Sequence, residues 1–230
     1  MLEQILEYER EMFFMLNGSD SPYLDRFMWL FSGKAVWLPL ALFIIIVLIY
    51  KKNWRESILI LLAIALVVTL CDQFASSVCK PMFTRFRPTH HPEFMDQVDT
   101  VFGYRGGRYG FISSHAANAF GFAMFMALLM KYRVFTWAIF IWAALTAYTR
   151  IYLGVHFISD IVPGIIAGLF FGSLVYLLYV FVRKRFVKGV EEVPVSNIYS
   201  RKRKLMIVFG ILVSILILLL FNASLTAYLR

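Results

Sequence analysis

Long apolar runs separated by short polar breaks dominate the chain. Runs at about 35–50, 56–77, 113–130, 134–149, 157–182 and 205–222 reach or approach the length a helix needs to cross a bilayer. The first and fourth are short and require tilt or flanking residues to span. Ahead of them, Leu2, Ile5, Leu6, Phe13 and Leu16 fall at helical spacing, with Glu3, Glu7, Arg10 and Glu11 off that face. The pattern predicts an amphipathic helix at a membrane interface. Acidic residues there are unlike the basic start of a cleaved signal peptide. Asn17-Gly18-Ser19-Asp20-Ser21-Pro22 ends this helix, and Tyr23 to Ser32 forms a second one leading into the membrane. The predicted fold class is all-α: a polytopic membrane bundle of about six transmembrane helices. One domain covers residues 1–230, with residues 1–34 interfacial and 205–222 as the last span.

Composition agrees. At 60% hydrophobic residues and a mean hydropathy of +0.72, the chain is too apolar for a soluble domain. A formal net charge of +9 would suggest nucleic acid in a soluble protein. Here most of it lies in short loops, so orientation and lipid headgroups explain it and no nucleic-acid partner is expected. Lys51, Lys52 and Arg55, then Lys131 and Arg133, then Arg183 to Arg185, Lys188 and Arg201 to Lys204 fall on one side by alternation. That side is expected to be cytoplasmic, which leaves the 78–112 loop and the turn at 150–156 outside. Cys71 and Cys79, about 12 Å apart along one helix, are too far apart to pair and read as buried thiols.

Three polar groups punctuate the apolar background. Arg150, His156 and Asp160 lie where one run ends and the next begins. With a helix starting near His156, Asp160 falls one turn on, where its carboxylate orients the imidazole and strengthens Nε2 as a nucleophile. Arg150, returned by the Gly154 turn, adds a cation beside it. Lys80 and Arg87, two turns apart in helical geometry, suit a phosphate clamp, and Pro88 restricts Arg87 towards a helix end. Ser113, Ser114 and His115 open a span, where free N–H groups favour an anion and His115 is placed to act as a general acid.

In order, Lys80-x6-Arg87-Pro88, Ser113-x-His115 and Arg150-x5-His156-x3-Asp160 resemble the type 2 phosphatidic acid phosphatase (PAP2) superfamily over residues 56–182. The resemblance implies that His156 forms a phosphohistidine, Asp160 orients it and His115 serves as general acid, then base. It also implies that Lys80, Arg87, Arg150, Ser113 and backbone N–H groups near Ser114 bind the phosphate. Two positions depart from the family pattern: Ser114 stands where a glycine is usual, and Thr149 where a serine is. Neither removes a catalytic group.

No cofactor or metal is expected: three cations and helix N–H groups complement a phosphoryl transition state by themselves. His90, His91, Glu93, Asp96 and Asp99 form the best alternative cluster, read as a solvated loop. Asp72 is an intramembrane carboxyl, expected to support the site residues from behind or to face the bundle, without acting directly in catalysis. The glycine-rich stretch from Gly103 to Gly110 reads as a flexible loop at the site mouth, with Arg105 or Arg108 near a second phosphate or a sugar. The expected activity is hydrolysis of a lipid phosphomonoester or pyrophosphate at the outer face of a bacterial inner membrane. Undecaprenyl pyrophosphate, lipid A and phosphatidylglycerophosphate are the candidate substrates. Its partners are lipids, with no obligate protein partner evident. A catalytically silent lipid-phosphate binder or flippase is the alternative, against which the intact His115, His156 and Asp160 weigh. Haloperoxidase chemistry fits a membrane-surface site poorly.

Overall fold

A computed structural model describes residues 2–186, 195 and 198–230. The side chains of Leu2, Glu3, Ile5 and Leu6 and the stretch around Lys188 lie outside the described residues. Among these residues the chain forms α1 (Leu2–Leu16), α2 (Pro22–Ser32), α3 (Leu38–Ile49), α4 (Trp54–Phe83), α5 (Ser114–Met130), α6 (Arg133–Tyr152), α7 (Ile158–Phe186) and α8 (Arg201–Leu229). It is an all-α membrane bundle. Helices α4, α6, α7 and α8 are long and apolar enough to cross a bilayer. The stretch Pro22–Ser32 with Ala35–Ile49 qualifies only as a pair bent by 70°, a broken span or re-entrant loop, and α5, at 17 residues, is shorter. A total of six is reached only by adding both.

The bundle is apolar outside as well as inside. Phe125, Met126, Leu129 and Met130 of α5 are fully buried, while Leu62, Phe170 and Phe209 on the outer faces are 61%, 60% and 68% exposed. Around helices long enough to span a bilayer, such residues in numbers mark a lipid-facing surface.

The contact that places the polar residues is α5 against α7. Gly164, Gly168 and Gly172 form a stripe on α7, and a Cβ at Gly168 would lie 2.5 Å from the Ala117 carbonyl oxygen. Small residues let two backbones approach this closely. The first turns of the two helices are tied directly, since the Ser113 N–H donates to the Asp160 backbone carbonyl at 3.0 Å. At the opposite end the basic loops gather: Lys52 donates to the Ile198 carbonyl, and Arg183 pairs with buried Glu56 at 3.0 Å.

Helix α1 forms as the amphipathic pattern predicts, but its C-terminal half docks on protein. Phe13 is fully buried, its ring 5.4 Å from that of Phe157. Cys71 and Cys79 are free and buried.

Candidate active site

Lys80 lies near the end of a helix that does not stay regular. Phe74–Cys79 is a π-helical segment of α4, a local widening that often marks functional positions. It leaves Lys80 Nζ donating to Ser114 Oγ at 2.8 Å and to Ser76 Oγ at 3.1 Å. Lys80 and Arg87 do not share a helical face, contrary to the sequence expectation. The helix stops at Phe83 because Thr84 is left-handed (φ 46°). The chain then pairs with the glycine-rich loop: Arg87 N–H donates to the Arg108 carbonyl at 3.1 Å and Gly110 N–H to the Arg85 carbonyl at 2.9 Å. Extended geometry ahead of Pro88 is what a proline imposes. Arg87 still turns inward and is buried.

The turn after α6 brings Arg150 back as expected. Gly154 takes φ +72°, and Val155 N–H donates to the Arg150 carbonyl at 3.1 Å. Helix α7 begins at Ile158, two residues later than a start at His156. His156 Nδ1 nevertheless lies 3.3 Å from Asp160 Oδ2, which also accepts the Phe157 N–H at 3.0 Å. Arg87 Nη1 lies 3.3 Å from His156 Nε2. Arg150 is 2% exposed; it donates to Ser32 Oγ and, at 3.1 Å, to the Tyr104 hydroxyl. Its Nε is buried without a partner, a donor that an anion's oxygen would satisfy.

Burial and the surrounding Arg87, Arg150, Lys80 and Arg85 charges hold the His156 imidazole well below the usual histidine range. The ring is neutral at physiological pH. Burial and Arg150 likewise hold Arg87 below its ordinary value, at about 10, so it remains a cation.

Ser113 is fully buried and caps α5, its Oγ accepting the Ala116 N–H at 3.4 Å. His115, Ser114 and Ser76 line one end of a cavity of about 550 Å³. Asp72 and Asn118 stand along its wall, their side chains 3.5 Å apart, and Leu40, Ile44, Val68 and Ile139 line the apolar remainder. Its size and lining are those of a small-molecule or lipid site.

The glycine-rich loop packs on the histidine–aspartate pair instead of standing open. A Cβ at Gly110 would lie 2.9 Å from Asp160 Oδ2 and 3.5 Å from His156 Nδ1. Arg108 stacks over Phe86 and Tyr109, while Arg105 gives its carbonyl to the Thr89 hydroxyl at 2.8 Å. The 90–99 stretch does not converge on an ion: His91 stacks on Phe94 at 4.0 Å, and no three His, Cys, Asp or Glu side chains among the described residues could hold a metal.

Sequence reasoning missed four residues here. Tyr104 and Ser32 hold Arg150, and Arg85 reaches Asp160 Oδ1 at 2.9 Å and Glu9 Oε2 at 2.8 Å. Arg85 sits between Lys80 and Arg87, a signal that this segment presents more than two cations.

The sequence pattern of the PAP2 superfamily matches residues 57–184. The chain is similar to the lipid A 4'-phosphatase of Porphyromonas gingivalis, 45% identical over 199 residues, covering 86% of this chain and 84% of the relative. It is also similar to the lipid A 4'-phosphatase of Bacteroides thetaiotaomicron, 36% identical and covering 92% of this chain and 94% of that one. The crystal structure of a transmembrane PAP2 type phosphatidylglycerolphosphate phosphatase from Bacillus subtilis shares the fold, with a TM-score of 0.54 at 22% identity over 81% of this chain and 89% of that chain. Three motifs converging at one end of such a bundle, with this pattern and these relatives, make the chain a member of the PAP2 superfamily.

Proposed function

We propose that this protein is a membrane phosphatase that removes a phosphate monoester from a lipid, with lipid A phosphorylated at the 4′ position as its substrate. The observation that carries this is the neutral, Asp160-held His156 beside the cations Arg87, Arg150 and Lys80, two of which bond to Ser32 and Ser114 in the wall of an apolar cavity. The two lipid A 4'-phosphatase relatives, which match most of the chain, favour that substrate over undecaprenyl pyrophosphate or phosphatidylglycerophosphate.

In the first half-reaction His156 Nε2 attacks phosphorus and the ester oxygen leaves with the His115 proton. Lys80, Arg87, Arg150 and the N–H groups at the start of α5 hold the three equatorial oxygens, whose charge grows in the transition state. In the second, His115 takes a proton from water, which attacks the phosphohistidine and releases inorganic phosphate. Ser114 steers Lys80, and the cavity beyond His115 takes an acyl chain. Asp72 is a wall group of that cavity. No metal or other cofactor enters these steps. The enzyme sits in the inner membrane with the site facing the periplasm, a reading supported by the basic loops gathered at the other end.

The test is phosphate release by purified protein from lipid A 4′-phosphate, undecaprenyl pyrophosphate and phosphatidylglycerophosphate. Release from the first, fastest of the three, is expected. Binding of all three without release would turn the reading towards the silent binder.

A further inference from the structure

We propose that Arg85 and Glu9 are positioning residues of this site, forming a chain of alternating charge that runs from the N-terminal helix through Asp160 to His156. The inference rests on the phosphatase reading above. Asp160 is fully buried and uses its two oxygens for different partners: Oδ2 faces His156 and the Phe157 N–H, and Oδ1 takes Arg85 Nη1 at 2.9 Å. The other end of the same guanidinium reaches Glu9 Oε2 at 2.8 Å, and Glu9 Oε1 accepts the Ser159 N–H at 3.0 Å. Arg85 Cζ lies over Phe157, 4.6 Å from its ring centre, and α1 is docked on that ring through Phe13. The carboxylate that orients the nucleophile is thus itself oriented from outside the phosphate cluster.

The chain sets charge as well as geometry. Arg85 draws on Asp160 and reduces what the carboxylate offers to the imidazole, and Glu9 offsets Arg85. Removing Arg85 leaves the full Asp160 charge on His156 and makes the ring easier to protonate. Removing Glu9 leaves Arg85 unshared and makes it harder. The other charges facing His156 are Arg87, Arg150 and Lys80, and those around Arg85 are Glu7, Arg10, His91 and Glu93. Both substitutions leave all of these in place, so the two variants are expected to move in opposite directions. A structural role alone gives no such pair.

The experiment is kcat/KM against pH for lipid phosphate hydrolysis by the purified full-length enzyme, Arg85→Met, Arg85→Lys and Glu9→Gln. The substrate's own ionisation is common to all four. Arg85→Met is expected to shift the acidic limb up by about one pH unit and to lower kcat by roughly tenfold to a hundredfold. Arg85→Lys is expected to recover part of both, and Glu9→Gln to shift the limb down. If Arg85→Met fails to fold, Glu9→Gln, which keeps the side-chain shape, carries the test alone. Limbs that stay where the wild type has them, with or without a loss of rate, overturn the proposal while the phosphatase reading stands. A wild type that releases no phosphate from any lipid overturns both.

Discussion

Arg87 Nη1 stands 3.3 Å from His156 Nε2, and this settles which imidazole nitrogen carries the proton. A guanidinium only donates, so Nε2 is the acceptor and the proton sits on Nδ1, facing Asp160 Oδ2 at 3.3 Å. The Nε2 lone pair, the proposed nucleophile, therefore points to the side where the cations gather, held by Arg87. Because burial and those cations hold the ring well below the ordinary histidine range, it stays neutral as the pH falls through neutrality. With the substrate's phosphate ionisation subtracted, the acidic limb of kcat/KM is expected below about pH 6.5. A limb near pH 8 that disappears in Arg87→Ala would contradict this.

His115 is expected to matter most when the leaving group is poor. An aryl oxide departs without a proton and an alkoxide does not, and general acids contribute about 10²–10⁴-fold. His115→Ala is expected to slow a lipid monoester by that range and an activated aryl phosphate far less. Equal losses on both substrates would remove His115 from the acid role.

Gly110→Ala removes no polar group, yet its new methyl would lie 2.9 Å from Asp160 Oδ2. Either the loop or the carboxylate must shift. A displacement of about 1 Å near reacting groups costs roughly a hundredfold in rate. The expected result is a fall of that order with thermal unfolding little changed, and wild-type activity would show that the loop yields freely.

The motifs were legible because each pairs residue types that an apolar segment does not otherwise hold. Lys80, Arg87, His115, Arg150, His156 and Asp160 all come to one end of the bundle, as alternation of the spans implies. What was hidden depends on contacts far apart in sequence. Glu9 meets Arg85 across 76 positions and Arg150 meets Ser32 across 118, distances over which periodicity carries no information. Helix α1 read as interfacial because its pattern reports an apolar face without saying whether lipid or Phe157 covers it. The Lys80–Arg87 helix failed at Thr84, a residue with no strong preference for the left-handed turn it adopts. The glycine-rich loop read as flexible, whereas Gly110 serves close packing on the His156–Asp160 pair.

Sidedness decides which lipids reach the site. With both native cysteines removed, single cysteines at Asp96 and Arg201 report opposite faces to a membrane-impermeant thiol reagent on intact cells. Labelling at position 96 and protection at 201 are expected. The reverse pattern would place the site in the cytoplasm.

On the proposed mechanism, holding phosphate needs only the cations, whereas breaking the ester needs Nε2 of His156. The most direct measurement is therefore phosphate release from lipid A 4′-phosphate by His156→Ala beside the wild type, with lipid binding followed in the same preparations. Binding is expected to persist while turnover falls to background, a loss of at least about 10⁴-fold. Turnover by the variant within about tenfold of wild type would contradict His156 as the nucleophile.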